Sequence, residues 1–256
     1  MDTPQRFTSD DYDADYYLNC MGEPDYVNNP QFKLFFNKVA DALMKHPDHP
    51  KTVLDAGCAC GHFVAALRDR GVEAYGVDIS EYAISNVRED IRPFCRVCSL
   101  NEDLPPDFPK KYDMLFCIEI LEHMTDPDGR DAIARITKLS DTILFSSTPF
   151  DEVEETHINI NPMWYWAEIF HEHGFYLDML GSNRLFNIQS MLFRRNIGYA
   201  GMVRAALEDH SMLYKQIDKL TKAYLEKNEQ VRQLLELVKN NHTVSVSGVG
   251  KPKSDK

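Results

Sequence analysis

The segment Val53–Gly71, VLDAGCACGHFVAALRDRG, reads as a strand, a tight loop and a helix in immediate succession. An apolar run ends on the carboxylate of Asp55, glycines follow at Gly57 and Gly61, and a second apolar run takes on helical spacing. Glycines at these points let the chain turn sharply and let its backbone approach a ligand, as at nucleotide sites generally. Taken alone, the same pattern also describes an ordinary strand-to-helix turn.

On either side of this segment, from Lys51 to about Arg195, short apolar runs alternate with amphipathic ones. The candidate strands are TVLDAG, EAYGVDI, FCRVCS, YDMLFCIE, TILFSST, FYLDML and QSMLFRR. The alternation predicts an α/β protein with a Rossmann-like, doubly wound seven-stranded sheet. Only GSNRLFN separates the last two runs, too little for a crossover helix, so the last strand should run antiparallel at one edge.

Composition sets the outer bounds. A 256-residue chain with 43% hydrophobic and 27% charged residues is that of a globular protein with one full-sized domain. No apolar run approaches the roughly 20 residues of a membrane span. The N-terminus lacks a basic region followed by an apolar one, which gives the expectation of a cytoplasmic protein. A net charge of −12 repels polyanions and disfavours a nucleic-acid partner. The six cysteines fall mostly in strand-like stretches, and the pair Cys95 and Cys98 reads as two strand residues rather than a zinc site.

Four regions follow: an acidic, Tyr-rich lead-in over residues 1–50 with a helix at Phe32–Met44; the α/β domain over 51–200; a helix over 201–240; and a polar tail over 241–256. In the third region Leu213, Ile217, Leu220, Tyr224, Lys227, Val231, Leu234 and Val238 alternate spacings of four and three, a coiled-coil seam broken by Lys227. The seam fits either a homo-oligomer or a helix folded back on its own domain.

Two features carry chemistry. GVDIS places Asp78 23 residues after Asp55, where an acidic side chain accepts the ribose hydroxyls of an adenosine-type cofactor. A nicotinamide dinucleotide is the competitor, but the loop reads GCACG where GxGxxG would be needed. The second feature is Cys117–Met124, CIEILEHM, with Glu119, Glu122 and His123 at i, i+3 and i+4. In an apolar interior these groups are costly unless paired or bound to a cation, and on one helical face they suit a divalent metal.

Over roughly Val53 to Arg195 the chain resembles the class I S-adenosylmethionine-dependent methyltransferases, on the ordered motifs DAGCACG, GVDIS, SLNEDLP and YDMLFCIEILEHM and the closing hairpin. The resemblance implies that Asp55, Gly57, Cys58 and Gly61 shape the pocket for the amino acid end of S-adenosylmethionine. It places Asp78 on the ribose, Ile79 against the adenine, and Ser99 or Leu100 where relatives often carry an aspartate. The pattern ExxEH followed by STP and a later histidine is similar to metal-dependent O-methyltransferases. That likeness implies Glu119, Glu122, His123 and His157 as ligands of Mn²⁺ or Mg²⁺, with Co²⁺, Fe²⁺ or Zn²⁺ also suited to mixed carboxylate and imidazole donors.

A metal-free variant would use His157 as general base, with His123 beside it. The expected acceptor is a hydroxyl of a sugar, a nucleotide-linked precursor or another small metabolite. Two further alternatives are an RNA 3′-end 2′-O-methyltransferase, against which the acidic charge counts, and a non-catalytic scaffold, against which Gly57, Gly61 and Asp78 count. Trp164, Tyr165 and Trp166 could stack on the acceptor, although at helical spacing one or two of them belong in the core.

Overall fold

The architecture is taken from a computed structural model, which describes residues 6–19, 25–45, 49–151, 154–178, 186–187, 189–195 and 218–236. Each predicted strand is present: β1 (Thr52–Ala56), β2 (Glu73–Asp78), β3 (Cys95–Val97), β4 (Met114–Ile118), β5 (Thr142–Ser146), β6 (Phe175–Leu177) and β7 (Met191–Arg195). They form one seven-stranded sheet in the order β3-β2-β1-β4-β5-β7-β6. β1 to β5 are parallel, and β7 runs antiparallel to both β5 and β6. The last strand thus lies between β5 and β6, and β6 forms the sheet edge.

Helices cover both faces of the sheet. α1 (Ala14–Asn19) and α2 (Pro30–Met44) precede β1, and α3 (His62–Arg68) and α4 (Glu81–Ser85) follow β1 and β2. α5 (Asp126–Ile136) and α6 (Met163–Glu172) lie on the other side of the chain order, between β4 and β6. Local signals fix their starts. Asn29 accepts from the Gln31 N–H with Pro30 at the first helical position, Ser80 caps α4 through Ala83, and Thr125 caps α5 through Asp128.

On one face Val39, Ala40 and Leu43 of α2 and Phe63, Val64 and Leu67 of α3 pack against Val53, Phe116 and Leu144. On the other, Ile133 and Ile136 of α5 and Trp166, Ile169 and Phe170 of α6 pack against Leu54, Leu115 and Phe145. Apolar burial on two faces of one sheet is the main stabilising term in such a fold. Its functional consequence is a crevice at the carboxyl ends of β1 and β4, where the strand order reverses.

By contact pattern the chain divides into two units, Met1–Ala205 and Ala206–Lys256. Within the second, residues 218–236 are helical and exposed along their whole length. Among them are the seam residues Leu220, Tyr224, Val231 and Leu234, at 70%, 67%, 49% and 61% exposure. Leu213, Ile217 and Val238 lie outside the described residues.

Candidate active site

The β1–α3 loop is built around two left-handed glycines, Gly57 (φ 86°) and Gly61 (φ 69°), with Ala59 between them also at positive φ (46°). The Gly57 and Cys58 N–H groups donate to the Val77 carbonyl at 2.8 and 3.0 Å, which ties the loop to the end of β2. Asp78 completes the tie: its Oδ2 accepts from the Ala59 N–H at 2.7 Å and its Oδ1 from the Ser80 N–H at 2.9 Å. A carboxylate oxygen has about two lone-pair sites, so Asp78 keeps acceptor capacity for a bound hydroxyl. Burial pushes its pKa up, while the backbone donors pull it down.

Next to this loop lies a cavity of about 1300 Å³. Pockets for single small ligands run to about 1000 Å³, so this one has room for a cofactor and an acceptor together. Gly57, Asp78, Ile79, Ser99 and Leu100 line it. Asp55, Cys58 and Gly61 are not among its lining residues and lie behind the loop. Asp55 is 7% exposed with its pKa well above the usual carboxylate range through burial, the Cys58 thiol turns into the core towards Gly76, and Gly61 backs onto Ile91 and Val87. Their contribution is to the shape of the loop.

The end of β4 departs from the one-face helical arrangement that the spacing of CIEILEHM implied. The Glu119 N–H still pairs with the Ser146 carbonyl at 3.0 Å, as if the strand continued, and its backbone then swings to φ 53°. The Glu119 Oε1 consequently accepts from Ser146 Oγ at 2.5 Å and Asn187 Nδ2 at 2.9 Å. Helical geometry begins only with the short 3-10 turn Leu121–His123.

Glu122 is fully buried. Its Oε1 accepts from the Thr148 N–H at 3.3 Å, while Oε2 has no hydrogen-bond partner. Burial first, and the nearby Glu119 second, hold its pKa well above the usual range. The Glu122 carbonyl accepts from the N–H groups of Ile158 and Asn159, which draws the segment after β5 across the site and delivers His157 beside His123, ring centroids 4.7 Å apart.

Hydrogen bonding orients both rings. Thr156 Oγ1 gives its single proton to Glu154 Oε1 at 2.8 Å, so it accepts from His123 Nδ1–H at 2.9 Å. His157 Nδ1 faces the Asp151 carbonyl at 3.0 Å, which can only accept. The His123 imidazole therefore presents a bare Nε2, whereas the His157 Nε2 lies 3.5 Å from Glu154 Oε2. Burial, reinforced by His157, lowers the His123 pKa to about 4, so it is neutral at physiological pH.

Donor atoms of Glu122, His123 and His157 lie within 4.8 Å of one another, as do those of Asp151, Glu154 and His157. The first group fits a divalent cation: two imidazole nitrogens and a buried carboxylate oxygen without a hydrogen bond are donors such an ion satisfies. Among the described residues Glu119 does not join that group.

Several residues at the site carry no sequence signal of their own. Tyr12 and Tyr16, from the Tyr-rich lead-in, line the cavity together with Glu154 and Thr156, which no motif marks. Tyr16 Oη donates to Glu154 Oε1 at 3.1 Å, and the Tyr12 ring meets His123 edge-on at 5.9 Å. None of Trp164, Tyr165 and Trp166 lines the cavity. Trp166 is a fully buried core residue, Trp164 is exposed, and Tyr165 bonds Asp126 and Arg130 on the surface.

A family model described as a methyltransferase domain matches residues 31–186. Among curated proteins, the ubiquinone biosynthesis O-methyltransferase of Idiomarina loihiensis is 34% identical over 102 residues, 38% of this chain and 42% of that protein. The protein of the same name from Pseudomonas syringae pv. tomato is 30% identical over 125 residues, 45% of this chain and 47% of that one. The chain spans less than half the length of these relatives. Among solved structures, a Burkholderia thailandensis 1,6-didemethyltoxoflavin-N1-methyltransferase bound to S-adenosylhomocysteine superposes with a TM-score of 0.54 at 17% identity, covering 77% of this chain and 94% of that one. The magnesium protoporphyrin IX methyltransferase of Synechocystis, also with S-adenosylhomocysteine, gives 0.51 at 18% identity, over 71% and 97%. At such identities the likeness shows the shared fold.

Proposed function

The chain belongs to the methyltransferase domain family, and on that premise we propose that it transfers the methyl group of S-adenosylmethionine to a hydroxyl of a sugar or another small metabolite, assisted by a divalent cation. The observation that carries this reading is that His123 and His157 line a cavity whose other wall is the Gly57–Asp78 loop, with a carboxylate oxygen of the buried Glu122 within 4.8 Å of their ring nitrogens. Partial similarity to proteins named O-methyltransferases supports oxygen as the acceptor atom.

In this reading Asp78 accepts from the ribose hydroxyls, the positive-φ loop lets the backbone approach the cofactor, and Ile79, Ser99 and Leu100 surround the adenine. Glu122, His123 and His157 would hold Mn²⁺ or Mg²⁺, with Co²⁺, Fe²⁺ or Zn²⁺ as other candidates. A bound cation would lower the pKa of the acceptor hydroxyl. The protein's own part is to hold acceptor and sulfonium methyl in line, since the methyl carbon is already electrophilic. A second reading is favoured by the setting of His157: held through Nδ1 at the Asp151 carbonyl, with Nε2 3.5 Å from Glu154 Oε2, it is placed to take the hydroxyl proton itself.

Labelled S-adenosylmethionine offered with a library of hydroxyl compounds tests this directly. Label should pass to oxygen, transfer should stop in chelator, and added Mn²⁺ should restore it. Transfer that persists in chelator would leave His157 as the base, and absence of transfer despite intact cofactor binding would sink the reaction.

The helix over 218–236 enters the same proposal as a self-association element, because its seam residues are exposed. Deleting residues 206–256 should leave cofactor affinity unchanged and reduce the particle mass in light scattering to that of one chain. An unchanged number of chains per particle would refute the assignment. The free, buried thiols of Cys58, Cys60, Cys95, Cys98 and Cys117 accord with a cytoplasmic setting. No described helix is long and apolar enough to cross a membrane.

A further inference from the structure

Resting on the methyltransferase reading of the cavity, we infer that Thr156 and Glu154 are positioning residues: together they decide which nitrogen of His123 carries the ring proton, and Tyr16 of α1 holds the carboxylate in place. The contacts form one continuous chain. Tyr16 Oη donates to Glu154 Oε1 at 3.1 Å, Thr156 Oγ1 donates to the same oxygen at 2.8 Å, and His123 Nδ1 meets Thr156 Oγ1 at 2.9 Å. All four residues line the cavity.

Counting protons gives the chain a direction. An ionised carboxylate only accepts, so the single hydroxyl proton of Thr156 goes to Glu154 and its oxygen is left to accept from the ring. His123 then carries its proton on Nδ1, and Nε2 is bare for a cation or for the acceptor hydroxyl. Without Glu154 the same hydroxyl is free to turn and donate to Nδ1, which moves the ring proton to Nε2 and closes that nitrogen. A threonine that merely tied down the loop after β5 would serve with its proton pointing either way. Here the direction is imposed from a distant part of the chain, since Tyr16 lies 138 positions from Glu154. The same lead-in is tied to the domain by Arg6 on Asp128 at 2.9 Å and by Ser80 Oγ on the Tyr12 carbonyl at 2.6 Å. Glu154 Oε2 also stands 3.5 Å from His157 Nε2, so one carboxylate addresses both histidines. Groups that hold the far nitrogen of a ligating histidine in this way set ligand affinity or activity by about 10–100-fold.

A backbone hydrogen bond at Thr156 also acts on the His123 ring and is the competing explanation for its orientation. The two separate cleanly, because the backbone survives every side-chain substitution. The full chain is labelled with ¹⁵N-histidine and the ring tautomer read by NMR at pH 7 without metal, where His123 is neutral. Its signals among the nine histidines are assigned by their loss in His123→Gln. The wild type should show Nδ1–H. In Thr156→Val and in Glu154→Ala the ratio of Nδ1–H to Nε2–H should fall by at least about fivefold, the worth of one hydrogen bond, while Thr156→Ser should keep the wild-type ratio. Calorimetry on the same chains should give unchanged affinity for S-adenosylhomocysteine, with Zn²⁺ affinity lower by about 10–100-fold in Thr156→Val. A wild-type ratio in Thr156→Val would assign the orientation to the backbone and overturn the inference. So would an Nε2–H ring in the wild type, or a loss in Thr156→Ser equal to that in Thr156→Val. A chain that binds no S-adenosylhomocysteine would instead sink the methyltransferase reading, and one that binds no Zn²⁺ the cation, with the ring populations still deciding how His123 is positioned.

Discussion

Gly57→Ala is expected to reduce affinity for S-adenosylmethionine and S-adenosylhomocysteine by at least about a hundredfold, close to 3 kcal/mol. Two costs combine. At φ 86° an L-residue is strained by about 1–2 kcal/mol, and a Cβ on Gly57 would sit 2.1 Å from Ile120 Cδ1 and 2.5 Å from Cγ1. Ile120 can relieve the overlap by rotating, but it lines the cavity, so its relocation takes room where the cofactor is proposed to lie. Gly71→Ala is the control: φ is 81° there too, yet nothing lies within 4 Å of the added carbon, so stability should fall by about 1 kcal/mol with cofactor affinity intact. Adding Ile120→Ala to Gly57→Ala should restore part of the affinity, the remainder being backbone strain. Calorimetric titration of the Gly57→Ala chain giving wild-type affinity would remove this loop from the cofactor site.

How far the site could be read from sequence follows from the range of the interactions that make it. The strands were legible because each is a short apolar run ended by turn residues, and the brevity of GSNRLFN forced an antiparallel pairing. The placement of β7 between β5 and β6 is not written in either run. It tracks burial, since Met191, Leu192 and Phe193 are all buried whereas β6 buries only Phe175. Asp78 was legible because its role depends on its place at a strand end. The course of Glu119 was not: its partner Asn187 is 68 positions away, and its left-handed backbone depends on Ser146 of the neighbouring strand. Likewise Tyr16 and Glu154 meet across 138 positions, and no local pattern marks either. Spacing arguments succeed where one element sets the geometry, and fail where a loop between elements does.

Glu122 shows the same divide and carries the other large expected effect. Removing its charge has opposite consequences with and without a bound cation. In metal-free protein the buried Glu122 carboxyl accepts from the neutral Thr148 N–H and forms no ion pair among the described residues, so Glu122→Gln should melt at or slightly above the wild-type temperature. With Mn²⁺ at a hundred times its dissociation constant, the wild type should gain about 2.7 kcal/mol, a rise in Tm on the order of 5–10 °C for a chain of this size. That rise should vanish in Glu122→Gln and in His123→Gln, since each loses a donor from a three-residue group. Glu119→Gln should keep most of it, because the Glu119 Oε1 is already committed to Ser146 and Asn187. Differential scanning with Mn²⁺, Mg²⁺ and Zn²⁺ against chelator needs no acceptor and no turnover, so it reads the metal site independently of the reaction. A wild-type melting temperature indifferent to all three ions would discard the cation and leave His157 as the base.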